Sequence, residues 1–217
     1  MKKAVLFGAT GFIGSYLLEE LLNNSDYELI TVVVRKKIEL SHPKLKMVIG
    51  DFQSLNELKN ELVADDVFIT LGTTKKNTPD QEEYYQIDHD YPVLATKIAK
   101  ENGAKSVFIV TAVGANPKAK IFYSRMKGEV ERDIIALDMD YTHIFEPSMI
   151  LGNRTENRPS EKIFQKLTKL INPLLGGKLK KYRGIEGKEI AIAMNNAGKT
   201  PSEKVKIYQW EEMQGLL

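Results

Sequence analysis

The sequence predicts an α/β fold, a doubly wound parallel sheet held between two layers of helices. Three observations predict it. Short runs rich in β-branched residues alternate strictly with segments of helical periodicity from Ala4 to Phe145. Those runs are apolar almost throughout, as in strands buried on both faces, rather than at every second residue. The first run passes through a glycine turn straight into a helix.

Ala4-Val5-Leu6-Phe7 suits a buried first strand, and Phe12 to Leu22 has helical periodicity. Between them lies Gly8-Ala9-Thr10-Gly11-Phe12-Ile13-Gly14. Strand, glycine turn and helix in that order form a dinucleotide-phosphate site, which makes the expected sheet Rossmann-type. Gly8 allows a sharp turn, Gly11 a close approach of backbone N–H groups to a diphosphate, and Gly14 tight packing of helix on sheet. The N–H groups and positive dipole end at the helix start favour an anion, and Thr10 adds a hydroxyl donor. The G-x-x-G-x-x-G spacing is one residue wider at its first gap than the commonest fingerprint.

Glu28 to Val34 reads as the second strand. The residue after such a strand meets the adenosine ribose, where an acid holds the 2′-hydroxyl of NAD and an arginine accommodates the 2′-phosphate of NADP. Here Arg35-Lys36-Lys37 follows, with no carboxylate before Glu39, so NADP(H) is expected over NAD(H). Leu45 to Ile49 is a short third strand, after which Asp51 and Phe52 fall near the adenine. Ser54 to Leu62 is expected as a helix, with Ser54 and Glu57 as its capping box. Asp66 to Leu71 is a fourth strand, and Leu71-Gly72-Thr73 places a small residue beside the dinucleotide.

Gln81 to Asn102 reads as a helix with a break or kink at Pro92 and a stop at Gly103. Ser106 to Thr111 is the fifth strand, Phe122 to Leu137 a helix and Tyr141 to Phe145 the sixth strand. Tyr123 and Lys127 are four apart on that helix and share a face. An ammonium beside a phenol favours the phenolate and suits it to proton transfer at a carbonyl or alcohol oxygen. Thr111, at the end of the fifth strand, is placed to hydrogen-bond the substrate oxygen. Beyond Pro147 come a polar stretch over 152–160, an amphipathic helix from Glu161 to Ile171, a short helix over Gly187–Asn195 and a last strand over Val205–Trp210. Asp88 and Asp90 are assigned to capping or solvation, and the basic run Lys178–Arg183 to a solvated loop.

The 217 residues fit one nucleotide-binding domain over 1–217, with 151–217 a small substrate-side appendage. A formal charge of +2 gives no argument for nucleic acid. Cysteine is absent, which removes disulfides and thiolate metal sites, and the three histidines lack ligand spacing, so no metal is expected. No apolar run reaches transmembrane length, and the expected location is the cytoplasm without membrane attachment.

Thr10-Gly11-Phe12-Ile13-Gly14, Gly50-Asp51 and Tyr123-Ser124-Arg125-Met126-Lys127 resemble the short-chain dehydrogenase/reductase superfamily in its extended or atypical branch. Leu71-Gly72-Thr73-Thr74 and Lys127-Gly128-Glu129-Val130 are similar to the Tat-interacting-protein-like oxidoreductases within it. The resemblance covers roughly residues 3–195. It implies an NADP(H) domain, Tyr123 as proton donor or acceptor with Lys127 as its partner, backbone contacts near Pro147 and Ile150 to the nicotinamide, and Arg158 near the cofactor. Helices 81–102 and 119–137 often form dimer faces in this superfamily, so a homodimer is compatible with the chain.

Three features depart from the pattern. Threonine, as Thr111, stands where serine is usual at the substrate oxygen. Glu146-Pro147 replaces Arg-Pro after the sixth strand and reverses a charge near the site. Only about seventy residues follow Pro147, against a sizeable substrate domain in extended members. Two functions follow: an NADP(H)-dependent oxidoreductase acting on a small molecule, or a non-catalytic NADP(H)-sensing protein that reports to a protein partner.

Overall fold

Seven parallel strands form the central sheet of the computed structural model, which describes residues 1–152 and 172–217. The strands are β1 (Lys2–Phe7), β2 (Tyr27–Val34), β3 (Leu45–Ile49), β4 (Asp66–Ile69), β5 (Ser106–Val110), β6 (Tyr141–Phe145) and, late in the chain, β9 (Val205–Tyr208). Their order is β3-β2-β1-β4-β5-β6-β9. The chain winds outward from β1 in one direction and then returns to β4, which leaves a crevice at the carboxyl ends of β1 and β4. A two-residue pair, β7 (Ile150–Leu151) with β8 (Ile185–Glu186), forms a second small parallel sheet that the sequence pattern does not announce.

Helix α1 (Phe12–Asn23) covers one face of the sheet with Ile13, Leu17, Leu18, Leu21 and Leu22 buried. Helix α5 (Gly187–Ala197) packs on the same face through Ile190, Ala191, Ala193 and Met194, and the short α6 (Trp210–Gln214) closes that layer with Met213. The opposite face carries α3 (Tyr91–Glu101) and α4 (Phe122–Ala136), whose Ala95, Ile98, Ala99, Val130 and Ile134 bury against Val5, Phe7, Val67 and Ile109. The result is the expected three-layer arrangement.

Two expected elements differ in form. Residues 54–62 do not make a helix; they wind through turns to a single 3₁₀ turn at Lys59–Glu61. The reason is local. Ser54 donates its hydroxyl to Asp51, and the Asp51 carboxylate takes the backbone N–H groups of Gln53 and Ser54, so the side chains close a tight local turn at 51–54. Leu55 and Leu62 still bury fully from these turns.

The helix over 81–102 continues through Pro92, but not as one regular helix. Asp80 caps α2 (Gln81–Tyr85) by accepting from the Glu83 N–H at 2.8 Å, and a wide π turn at Gln86–Asp90 then leads into α3. Proline at 92 has no N–H for the Asp88 carbonyl, and its ring crowds that carbonyl; the widened turn accommodates both. The same turn points Asp88 and His89 inward.

The amino ends of the strands are fastened on the side away from the crevice. The buried Asp66 carboxylate accepts from the Tyr27 hydroxyl at 2.7 Å and the Lys2 ammonium at 3.0 Å, and Lys2 also donates to the Gly198 carbonyl beyond α5. Edge strand β9 is anchored by Tyr208, whose hydroxyl lies 2.7 Å from His143 Nδ1 in β6. Burial pushes that imidazole down to about 4, so it is neutral in the folded protein near pH 7. Arg158, the polar residues from 153 and the helix expected over Glu161–Ile171 lie outside the described residues.

Candidate functional site

Because the sheet is parallel, the residues after each strand gather at one edge. Gly8 to Gly14 follow β1, Arg35 and Lys36 follow β2, Asp51 and Phe52 follow β3, and Leu71, Gly72 and Thr73 follow β4. Thr111 follows β5, and Pro147 and Ile150 follow β6.

The glycine turn is closed against β4. Gly8 has φ +89, and a Cβ there would fall 2.7 Å from Thr70 Oγ1 and 2.9 Å from the Thr70 carbonyl carbon. A Cβ on Gly14 would collide with the Gly8 carbonyl oxygen, which is how closely α1 approaches the strand end. Gly11 donates its N–H to that same oxygen at 2.9 Å and stands at the N-cap of α1. The first turn of α1 contains no acidic residue. Ala9 and Ile13 are buried, Thr10 and Gly11 exposed. This backbone cradle at a twelve-residue helix's positive end fits a diphosphate.

Phe12 ties the turn to the far side of the site. A Cβ on Gly187 would meet its ring at 2.5 Å, and one on Gly152 (φ +128) at 2.7 Å. The ring is therefore gripped where β7 ends and α5 begins. Ile150 packs at the same core, and the Pro147 carbonyl accepts from the Val113 N–H at 3.0 Å, joining the loops after β5 and β6.

Arg35 and Lys36 are exposed at the end of β2. Asp51 is exposed too, and its carboxylate is engaged in capping its own turn, with Ser54 holding it below the usual carboxylate range. Phe52 is half-buried and stacks on Tyr91 at 3.9 Å with the planes 4° apart.

Helix α4 carries the candidate chemistry. Tyr123 is 42% exposed and Lys127, one turn on, only 5%. The Lys127 ammonium reaches Asp88 Oδ1 at 2.7 Å, with both side chains buried. Asp88 Oδ2 accepts from the Thr73 N–H at 2.8 Å, so one carboxylate joins the π turn, the loop after β4 and α4. Tyr84 is buried near Asp88 and Tyr123, and burial, with Asp88 second, raises its phenol above the usual value. Gly128 lets α4 press on the preceding loop, because a Cβ there would collide with the Asn116 and Pro117 backbone. The Asn116 N–H donates to the Ser124 carbonyl at 2.9 Å across that contact.

Thr111 is placed differently from the expectation. It is buried, and its hydroxyl donates to Glu131 Oε1 at 2.5 Å instead of facing the crevice. The residue after a strand can point to either helical layer, and a buried carboxyl on α4 draws this hydroxyl inward. Sequence reasoning assigned Asp88 to capping or solvation and did not single out Glu131. Each had a signal: Asp88 stands four before Pro92, where a helix must open, and Glu131 stands four after Lys127 on the same face.

Residues 8–167 match the NAD(P)H-binding family. Among curated relatives, the mitochondrial protein FMP52 of Candida glabrata is 31% identical over 205 residues, covering 93% of this chain and 87% of its own. Protein HTATIP2 of Rattus norvegicus is 30% identical over 169 residues, covering 76% and 69%. Two solved structures show the same fold at low identity. MoeE5 in complex with UDP-glucuronic acid and NAD superposes with a TM-score of 0.72 at 17% identity, covering 94% of this chain and 75% of that one. UDP-glucose 4-epimerase of Thermotoga maritima gives 0.70 at 14%, covering 95% and 76%.

The expectation of a cytoplasmic location is corrected here, because the FMP52 relatives are named as mitochondrial proteins and point away from the cytoplasm. Net charge and a short apolar first strand do not encode that address. Glycine cradle, sheet order and sequence similarity agree: the chain belongs to the NAD(P)H-binding family and is a relative of FMP52 and HTATIP2.

Proposed function

We propose that the protein is an NADP(H)-dependent oxidoreductase that moves hydride to or from a carbonyl or alcohol carbon, with Tyr123 exchanging the proton at the oxygen. One juxtaposition supports this above the rest. An exposed phenol stands one helical turn before a buried ammonium, and that ammonium is fixed by a carboxylate tied to the loop after β4.

The cradle at Gly8, Gly11 and Gly14 receives the diphosphate, and Arg35 and Lys36 face the 2′-phosphate. Pro147 and Ile150 border the nicotinamide end, and Lys127 serves the ribose there. When bound, the dinucleotide supplies or accepts the hydride. Tyr123 gives its proton to the substrate oxygen during reduction and takes it back during oxidation. Lys127 favours the phenolate that Tyr123 becomes. Asp88 keeps Lys127 in place.

Replacing Tyr123 by Phe removes the proton carrier and nothing else of size. NADPH turnover against a panel of carbonyl compounds is expected to fall by about 10²–10⁴-fold, the usual contribution of a positioned acid, with NADPH affinity nearly unchanged. Full activity in Tyr123→Phe ends this reading. For cofactor choice, calorimetric titration of NADPH and NADH against Arg35→Asp is expected to show the preference for NADPH lost by roughly 10–100-fold, the value of a charge-assisted contact. Unchanged discrimination removes Arg35 as the selector.

The inward turn of the Thr111 hydroxyl favours a second reading, because it leaves the substrate oxygen without that donor. In it the protein senses NADP(H) and passes the state to a protein partner. Tight cofactor binding with no turnover across the panel is its signature.

A further inference from the structure

Tyr123, Lys127 and Glu131 follow one another at four-residue intervals on one face of α4. The last of these is buried, and the mechanism above gives it no task. Three groups act on it. Thr111, after β5, donates to its Oε1; Lys127 lies one turn before it; Glu146, after β6, is a second buried carboxyl whose charge opposes its own.

The charges in this region do not balance. Lys127 is paired with Asp88 at 2.7 Å, so its ammonium is already matched by a buried carboxylate. Glu146 accepts from the Gln209 amide at 2.8 Å, and Lys181 and Glu212 act on it with opposite signs. Of the three buried carboxyl groups Asp88, Glu131 and Glu146, Asp88 thus holds the buried ammonium, while Glu131 and Glu146 repel each other. Keeping all three ionised leaves uncompensated anions away from water, and binding a proton is the cheaper solution.

We propose that Glu131 is the proton-holding positioning residue of this site: protonated, it leaves Lys127 to Asp88 and Tyr123, and ionised, it competes for that ammonium and disfavours the Tyr123 phenolate. Burial, with Glu146 adding to it against the Thr111 bond, pushes Glu131 up to about 7. The effect on Tyr123 rests on the oxidoreductase reading; the protonation of Glu131 does not.

The sign is fixed by linkage. A carboxyl raised from about 4.5 to about 7 on folding binds more protons in the native state between those values. Stability contributed by the neutral form is then lost as pH rises through that window.

The test compares wild type with Glu131→Gln, which retains an acceptor for Thr111, and with Glu146→Gln. Infrared spectra recorded at steps from acid to mildly alkaline pH read carboxylic-acid carbonyls directly. Wild type is expected to show a protonated carboxyl that disappears near neutrality. Glu131→Gln is expected to lack it, and Glu146→Gln to lose it at lower pH. The thermal midpoint of Glu131→Gln should rise relative to wild type as pH increases from about 5 to about 8. The near-neutral limb of the NADPH turnover profile should vanish in the same variant. A neutral carboxyl band that survives Glu131→Gln, or is absent from wild type, overturns the inference; so does a midpoint difference independent of pH. If Glu131→Gln does not fold, an unchanged titration in Glu146→Gln overturns it alone. Failure of the oxidoreductase reading looks different, as loss of turnover evidence with the infrared titration intact.

Discussion

Asp88 does more than its place in the sequence suggests. An aspartate in the middle of a helix reads as a cap or a solvated charge, yet this one is buried and holds both Lys127 and the Thr73 N–H. Removing one partner of a buried ion pair leaves the other charge unmatched, which typically costs 3–5 kcal/mol, whereas removing both together costs far less. Asp88→Asn retains an oxygen for Thr73, but removes the charge and turns an NH2 donor towards Lys127. Chemical denaturation is expected to show a loss of roughly 3 kcal/mol in Asp88→Asn, partly restored in the double variant with Lys127→Met. Additive losses would mean that the pair contributes nothing as a pair. The place of Tyr123 and Lys127 on one helix after the fifth strand was legible, because spacing and strand order are sequence facts. Their buried supports were not, since side-chain spacing along one helix says nothing about a carboxylate arriving from another.

Elements were legible wherever one periodicity governed them. The buried strands and the apolar stripes of α1 and α4 could be read because burial on two faces or one stripe leaves its period in the sequence. The segment at 54–62 was misread because Ser54 satisfies a helix-start pattern while Asp51 claims its hydroxyl first. The pair β7–β8 was invisible because two-residue strands carry no period. Helix α4 also shows how a small residue sets an element's position. At Gly128, alanine offers about 1 kcal/mol of helix propensity, but its Cβ would meet backbone of Asn116 and Pro117, which cannot rotate aside. Overpacking of about 1–3 kcal/mol exceeds that gain. Gly128→Ala is therefore expected to lower stability by about 1–2 kcal/mol, read from the denaturation midpoint. An increase would show that the loop before α4 yields freely.

At the scale of the whole molecule, the strand clamp and the candidate site occupy opposite ends of one sheet. The amino ends are clamped by Lys2, Tyr27 and Asp66, and the carboxyl ends carry the glycine turn, the basic pair after β2 and the Tyr123 helix. The gathering of those segments at the carboxyl ends was legible in advance, because strand order and a parallel sheet place them there. The cellular address was not legible, since no fold-determining residue carries it. The late elements show the limit from the other side. Strand β9 and helix α5 were found as local periods, but their seats, beside β6 and on α1, arise from contacts more than sixty residues away in sequence.

The grip of Gly152 and Gly187 on the Phe12 ring has one last result. Phe12 is the residue after the α1 N-cap, so the aromatic ring works as an axle between the phosphate end of the crevice and the loop bearing Ile150 at its other end. A dinucleotide seated at one extremity would thus press on the same ring that packs at the other.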